Sequence, residues 1–174
     1  LMPDICRVRR LDVQDLPVVL SWRNHPSVRS FMFSQHEITL EEHRAWFERA
    51  SADPARRLLI VEDETGPLGF VQFSDIAENG IADWGFYACP GAPKGTGRRL
   101  GTAALDYAFA ELGLHKVCGQ AITTNEASIR MHRGLGFVEE GILRDQKYVN
   151  GVYYSLVCFG LLKHEWLGMP QNRS

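Results

Sequence analysis

The sequence predicts an α+β domain built on a single mixed sheet. Three observations lead there. Strand-like and helix-like runs follow one another in the order β-α-α-β-β-β-α-β-α-β-β. Two turn signals, Glu64-Thr65-Gly66-Pro67 and Asn150-Gly151, join neighbouring strand runs into hairpins. No Pro/Gly/Ser-rich linker and no internal repeat divides the 174 residues, which suits one domain with a sizeable core.

The elements are read in order. Residues 6–11 alternate as a short strand, and 13–22 carry Leu16, Val19 and Leu20 at helical spacing. Arg23-Asn24-His25-Pro26 ends that helix, because a proline restricts the residue before it. Residues 27–38 read as irregular. Thr39 with Glu42 is a Thr-x-x-Glu capping box, opening a helix to about Ala50 with Leu40, His43, Trp46 and Phe47 on one face. Strands follow at 57–62, 68–74 and 82–89, the last stopped by Pro90-Gly91-Ala92-Pro93. A long amphipathic helix spans 97–112, its stripe formed by Leu100, Ala103, Ala104, Tyr107, Ala108 and Leu112, and Gly113 ends it. The strand 116–122 leads to a shorter helix at 127–134 that Asn125 can cap. Strands at 137–143, 145–149 and 153–162 and a weak helical turn at 163–167 complete the chain.

Composition narrows the function classes. A formal net charge of −2 gives no field that favours nucleic acid. No apolar run approaches the ~20 residues of a membrane helix, and no signal-peptide pattern opens the chain. The four cysteines, Cys6, Cys89, Cys118 and Cys158, are far apart and form no CxxC pair. Buried, reduced cysteines in a cytoplasmic protein are expected, with no metal and no membrane partner.

The stretch richest in chemistry runs from strand to glycine loop to helix: Phe86-Tyr87-Ala88, then Lys94-Gly95-Thr96-Gly97-Arg98-Arg99. The first turn of a helix leaves outward N–H groups at the positive end of its dipole. Glycines remove the side chains that would hold a phosphate away, and Lys94, Arg98 and Arg99 add charge. A pyrophosphate suits this site. A lone GxG is equally compatible with a flexible loop and a glycine-assisted helix start. GxxxxGK[ST] is absent, and Leu100 stands where a dinucleotide fingerprint needs its third glycine.

Downstream, Asn125-Glu126-Ala127-Ser128-Ile129-Arg130-Met131-His132-Arg133-Gly134-Leu135-Gly136-Phe137 completes a pattern that resembles the GNAT acetyltransferase superfamily over roughly residues 57–162. The resemblance implies the GNAT fold, a mixed, mostly antiparallel sheet of about seven strands with helices on both faces. It implies acetyl-CoA as co-substrate, with the pyrophosphate on Lys94–Arg99, the pantetheine arm along Phe86, Tyr87 and Ala88, and the thioester end beside Asn125, Ser128 and His132. A narrower likeness, in Trp22-Arg23-Asn24-His25-Pro26, Met32-Phe33-Ser34, Ile38 and His43, is to the GNAT enzymes of pseudaminic acid biosynthesis. Those acetylate the 4-amino group of a UDP-linked 4-amino-4,6-dideoxy-N-acetyl-altrosamine. The Asn-Gly hairpin and Gly160-Leu161-Leu162-Lys163-His164-Glu165-Trp166 are also similar to ribosomal-protein N-terminal acetyltransferases. A homodimer pairing the strand 153–159 would be in keeping with the superfamily. Three departures stand out: His132 where a Tyr acid is usual, Ala92 where Gln or Arg is frequent, and Ser155 where an Asp is frequent.

Direct attack of an amine on a thioester sets three tasks: deprotonate the ammonium, stabilise the carbonyl oxygen as it gains charge, and protonate the leaving thiolate. Backbone N–H groups near Tyr87 and Ala88 suit the oxygen. His132 suits the thiolate, and the alternative is a histidine filling a Tyr-sized hole. Asp83, Tyr87 and Ser74 are candidate bases, directly or through water, and a water relay with no single base fits equally. The acceptor pocket is expected from residues 22–50 and the last hairpin. Met32, Phe33 and Trp46 would form an apolar wall, Arg23 or Arg29 would meet a diphosphate, and His43 a hydroxyl; core packing and helix-end charge are the competing readings. The acceptor partner is then a small amine on a nucleotide-linked sugar, with peptide or other small-amine acetylation and a non-catalytic acyl-CoA-binding module as alternatives.

Overall fold

The computed structural model describes residues 5–169. Seven strands form one sheet in the order β1-β2-β3-β4-β5-β7-β6: β1 (Arg7–Arg10), β2 (Arg57–Asp63), β3 (Gly66–Ser74), β4 (Ile81–Ala88), β5 (Lys116–Ile122), β6 (Val138–Val149) and β7 (Val152–Leu162). The helices are α1 (Leu16–Asn24), α2 (Pro26–Arg29), α3 (Leu40–Ala52), α4 (Thr96–Ala110), α5 (Glu126–Gly134) and α6 (Lys163–Leu167). Every neighbouring pair is antiparallel except β4 and β5, which run parallel because α4 crosses between them. No helix among the described residues is long and apolar enough to cross a membrane.

Each face of the sheet buries its own core. On one face Leu59, Val71, Phe73, Trp84, Val117 and Phe159 meet Leu100, Leu105 and Phe109 of α4 and Trp166 of α6. On the other, Leu58, Ile60 and Phe70 meet Leu16, Val19 and Trp22 of α1 and Ala50 of α3. Strand alternation sends successive side chains to opposite faces, so one strand feeds both cores. The Thr39–Glu42 capping box is present, with the Glu42 amide donating to Thr39 Oγ1 and the Thr39 amide to the Glu42 carboxylate.

Several elements differ from expectation. Residues 13–15 form a 3₁₀ turn, capped by Asp12, before α1. Pro26 does break α1, and it also opens α2 inside the stretch expected to be irregular, since its fixed φ suits a first helical position. The runs 137–143 and 145–149 are one strand, β6, interrupted by a register shift between Leu143 and Lys147. Asp145 there has φ 47° and its amide donates to Ser155 Oγ at 3.1 Å, so Ser155 secures the bulge. From Leu156 onward β7 lies between β5 and β6. That strand therefore has no free edge for pairing across a dimer there, and β6 is the edge strand instead. The four cysteines are half-buried rather than fully buried.

The seating of α4 on the sheet depends on Gly69 of β3. A Cβ there would collide with the Leu100 side chain and lie 2.7 Å from the Tyr87 carbonyl oxygen. Gly69→Ala is expected to destabilise the chain by about 1–3 kcal/mol, as overpacking does, read as a lower midpoint in urea unfolding.

Candidate active site

β4 and β5 pair over only three registers, Ile81 with Lys116, Ala82 with Val117, and Asp83 with Cys118. Both strands continue, so beyond Asp83 and Cys118 they part and leave a wedge-shaped opening in the sheet. The crotch is filled by two rings. Trp84 Nε1 donates to His132 Nε2 at 3.1 Å, and the imidazole stacks on Phe159 at 4.7 Å. Gly119 of β5 has to be small: a Cβ there would lie 2.5 Å from His132 Nε2 and 2.8 Å from Trp84 Nε1.

His132 is thereby placed differently from the proton donor expected of it. It is 2% exposed. Its Nδ1 lies 2.8 Å from the Ser128 carbonyl oxygen one helical turn back, so Nδ1 carries the proton and donates to that carbonyl. Nε2 then accepts from Trp84. Burial pushes the ring below the ordinary histidine range, with the Ser128 carbonyl a smaller opposing influence. A neutral ring with both nitrogens engaged forms a wedge between the strands, and it lines the cavity with its only N–H turned to the Ser128 carbonyl.

A cavity of about 1120 Å³ passes through the opening. At one end it meets the N-terminus of α4. Gly95 is the N-cap, with φ 95°, a conformation that strains any side chain with a Cβ. No side chain caps this helix and no acidic residue stands in its first turn, whereas Thr39 caps α3 and Asn125 caps α5. The Thr96 amide donates to the Pro93 carbonyl at 3.1 Å, which leaves the following amides of the first turn without a side-chain cap at the positive end of the dipole, where the cavity meets Gly95–Gly97. Thr96 turns inward and its hydroxyl donates to the Pro93 carbonyl at 2.7 Å, which holds the loop. Gly97 lets α5 approach: a Cβ would sit 3.2 Å from Met131 Sδ. The residues thus fit a pyrophosphate through backbone amides.

None of the three loop cations is part of the cavity wall. Lys94 and Arg98 are exposed and outside the cavity wall. Arg99 pairs with Asp63 at 3.0 Å, tying the helix to the β2–β3 hairpin. Phe86, Tyr87 and Ala88 line the cavity along the unpaired edge of β4, and Asn125, Ser128 and Met131 line it from the α5 side. Asn125 Oδ1 accepts from the Ser128 amide at 3.2 Å, its capping role.

The cavity opens on the opposite face beneath α3 and the 31–38 loop. Arg23, Met32, Phe33, His43 and Trp46 line it as expected, together with Phe31, Glu42, Gln72, Asp83, Gly85 and Cys118. Ser74 pairs with Asp83 across β3 and β4 and is not part of the wall. Burial raises the Asp83 carboxyl above its ordinary range, and Asp75 adds to this. Burial also raises the Tyr87 hydroxyl, so that group stays protonated and is a poor base. Gln72, Gly85, Gly119 and Cys118 escaped the sequence reading. The one signal in the sequence was a glycine inside each of two strands, which marks close approach or open space.

Such a site, an uncapped helix terminus on one face joined through a parted sheet to a pocket on the other, defines an acyltransferase of the GNAT type. The acetyltransferase (GNAT) domain matches residues 6–138, and the chain belongs to that family. It is an N-acetyltransferase with acetyl-CoA as co-substrate. The chain is 28% identical to the spermidine N(1)-acetyltransferase of Vibrio cholerae over 170 residues, 96% of each chain. It is 25% identical to the acetyltransferase PseH of Campylobacter jejuni over 123 residues, 71% of this chain and 76% of that one. The crystal structure of the Vibrio cholerae spermidine N-acetyltransferase with CoA and spermine superposes with a TM-score of 0.86 at 27% identity, covering 94% of this chain and 98% of that one.

Two outcomes are expected. Gly95→Ala leaves the fold intact and raises the KM for acetyl-CoA by about tenfold, because an L-residue at positive φ costs ~1–2 kcal/mol; steady-state kinetics and calorimetry check this. His132 is held neutral in the folded chain, while the unfolded chain takes up its proton near pH ~6.5. Below that pH the unfolded state binds more protons, so stability is complete above about pH 6.5 and is lost as pH falls toward the lower folded value. His43, pushed down by burial and by Arg23, contributes in the same direction. The acid-side fall of Tm is expected to become shallower in His132→Gln.

Proposed function

We propose that the chain acetylates a primary amine of a small molecule whose body carries oxygen groups, best fitted by the 4-amino group of a UDP-linked amino-dideoxy sugar. The observation that carries this is Arg23. Its Nη2 donates to the Ser34 carbonyl at 2.7 Å, which fixes the guanidinium at the acceptor end. Its Nη1 is buried and has no partner among the described residues, and the same holds for both ring nitrogens of His43. A buried polar atom without a partner costs about 1–3 kcal/mol, so the Arg23 Nη1 donor and the His43 ring, which has one donor and one acceptor nitrogen when neutral, favour a ligand that brings hydroxyl or phosphoryl oxygens to them. A phosphoryl group suits Arg23. Phe31, Met32, Phe33 and Trp46 beside it suit a deoxysugar methyl or a nucleobase.

A polyamine is the second reading. It rests on the likeness to the spermidine enzyme over nearly the whole chain and on the carboxylates of Glu42 and Asp83 in the cavity wall. Against it, a polycation would bring ammonium groups toward Arg23, a repulsive contact. Ribosomal-protein N-terminal acetylation draws on a shorter likeness, 45% identity over 76 residues, 41% of this chain, to a putative ribosomal N-acetyltransferase of Bacillus subtilis.

Acetyl-CoA supplies the activated acetyl group as a thioester. The residues divide the remaining work. Asp83, a carboxylate made more basic by burial, takes the proton that frees the amine for attack. Alternate amides of the parted edge of β4 face the carbonyl oxygen as it gains charge. As the nitrogen–carbon bond forms and the carbon–sulfur bond breaks, the amine's second proton ends on the coenzyme A sulfur through solvent. His132 holds the strands apart throughout.

Thiol release should be measured with acetyl-CoA and a panel of a UDP-linked 4-amino-4,6-dideoxy sugar, spermidine and a peptide amine. The sugar is expected to show the highest kcat/KM, and Arg23→Met to lower it about tenfold or more by loss of a charge-assisted hydrogen bond. Spermidine turning over best, with Arg23→Met unharmed or faster, would establish the polyamine reading instead.

A further inference from the structure

The acceptor side of the sheet contains a gap at the point where β4 leaves β5. Residues opposite one another in β3 and β4 point to one face: Phe70 with Tyr87, Gln72 with Gly85, Ser74 with Asp83. Gly85 is therefore the missing side chain in a row that includes Asp83 and Tyr87. A Cβ built at Gly85 meets no atom within 4 Å. The space is real, then, and packing is not what keeps it empty. Gly69 and Gly119, by contrast, have no room for a Cβ. The gap lies in the cavity wall, two residues beyond the last β4–β5 pair, where the two faces of the sheet communicate.

The atoms around this gap suit an amine. Gln72 Oε1 is buried with no partner among the described residues, and an amide oxygen accepts hydrogen bonds only. The Asp83 carboxyl stands two residues along β4 on the same face, and Cys118, its partner in β5, lines the wall beside it. Tyr87 closes the other side against Phe70, ring centroids 5.2 Å apart.

We infer that the space above Gly85 is the seat of the attacking amine, with Gln72 Oε1 accepting one N–H of the acceptor and so orienting its lone pair toward the opening between β4 and β5. Gln72 is a substrate-positioning residue and Gly85 sets the size of the seat. The seat suits an unbranched or ring-borne primary amine and disfavours a secondary amine, whose single N–H must meet Gln72 while a second carbon takes up the same space. This deepens the acetyltransferase reading and rests on it. It holds for either acceptor body, because it concerns the nitrogen alone.

The test uses the full chain and whichever amine of the panel gives the highest kcat/KM. Gly85→Ala and Gly85→Val are expected to leave Tm near that of wild type and acetyl-CoA affinity within about twofold of it, since a Cβ there meets no atom within 4 Å. The same variants should lower acceptor kcat/KM by about tenfold and hundredfold respectively, the scale on which ~1 Å of misplacement acts. Gln72→Leu should raise acceptor KM and lower kcat with acetyl-CoA binding intact, and Gln72→Glu, which keeps an acceptor oxygen, should recover much of the loss. Wild-type-like acceptor kinetics in Gly85→Val, or loss of acetyl-CoA binding in Gly85→Ala, would overturn the seat while leaving the acetyltransferase reading standing. A wild-type chain that binds acetyl-CoA and releases no thiol with any amine overturns both.

Discussion

Everything distinctive about this molecule depends on the early end of the β4–β5 pairing. Three registers hold the two parallel strands together, and then a Trp84–His132 hydrogen bond occupies the place where the ladder would continue. A buried ladder abandoned midway would leave polar backbone groups unsatisfied. Here that backbone lines a cavity instead, where a ligand or water can meet it. The wedge is stable because His132 is satisfied on both nitrogens and enclosed by Trp84, Phe137 and Phe159. An aromatic ring able to accept from the indole fills the crotch. The substitution of histidine for the tyrosine usual in the superfamily thus bears on architecture.

The second constraint is a contrast in capping. Thr39 and Asn125 satisfy the starts of α3 and α5 with their own side chains. The start of α4 has a left-handed glycine and no side-chain cap. Free amides at a helix start are tolerable where a ligand takes them, and a phosphate is the natural taker. Of the positive side chains near this helix start, Arg99 pairs with Asp63.

The acceptor side follows a different logic. Its wall mixes apolar side chains with His36, Glu42 and Asp83, and some of its buried polar atoms have no partner among the described residues: Arg23 Nη1, the His43 ring and Gln72 Oε1. Membership of the family says nothing about which amine these atoms read. The acceptor side of the cavity is walled by side chains of loops and helix faces, while the donor end is built from backbone, so the two ends can vary independently on one scaffold.

Local rules settled much of this chain by themselves. The Thr39–Glu42 box, the Asn150-Gly151 turn, the helical stripe on α4 and the Gly95-Thr96-Gly97 loop are short-range patterns whose physics acts within a few residues, and each stands where its residues place it. The donor end of the site was legible for the same reason, being made of contiguous backbone. What only the tertiary structure decided lies across the sheet. The chain's 48-residue step from Trp84 to His132, and the 36-residue step from Asp63 to Arg99, are closed by strand order rather than by any local signal. So the role of His132, the diversion of Arg99, the interior position of β7 and the pairing of Gln72 with Gly85 were invisible in one dimension. A side chain's partners, and hence its proton and its charge, are set by what the fold brings beside it.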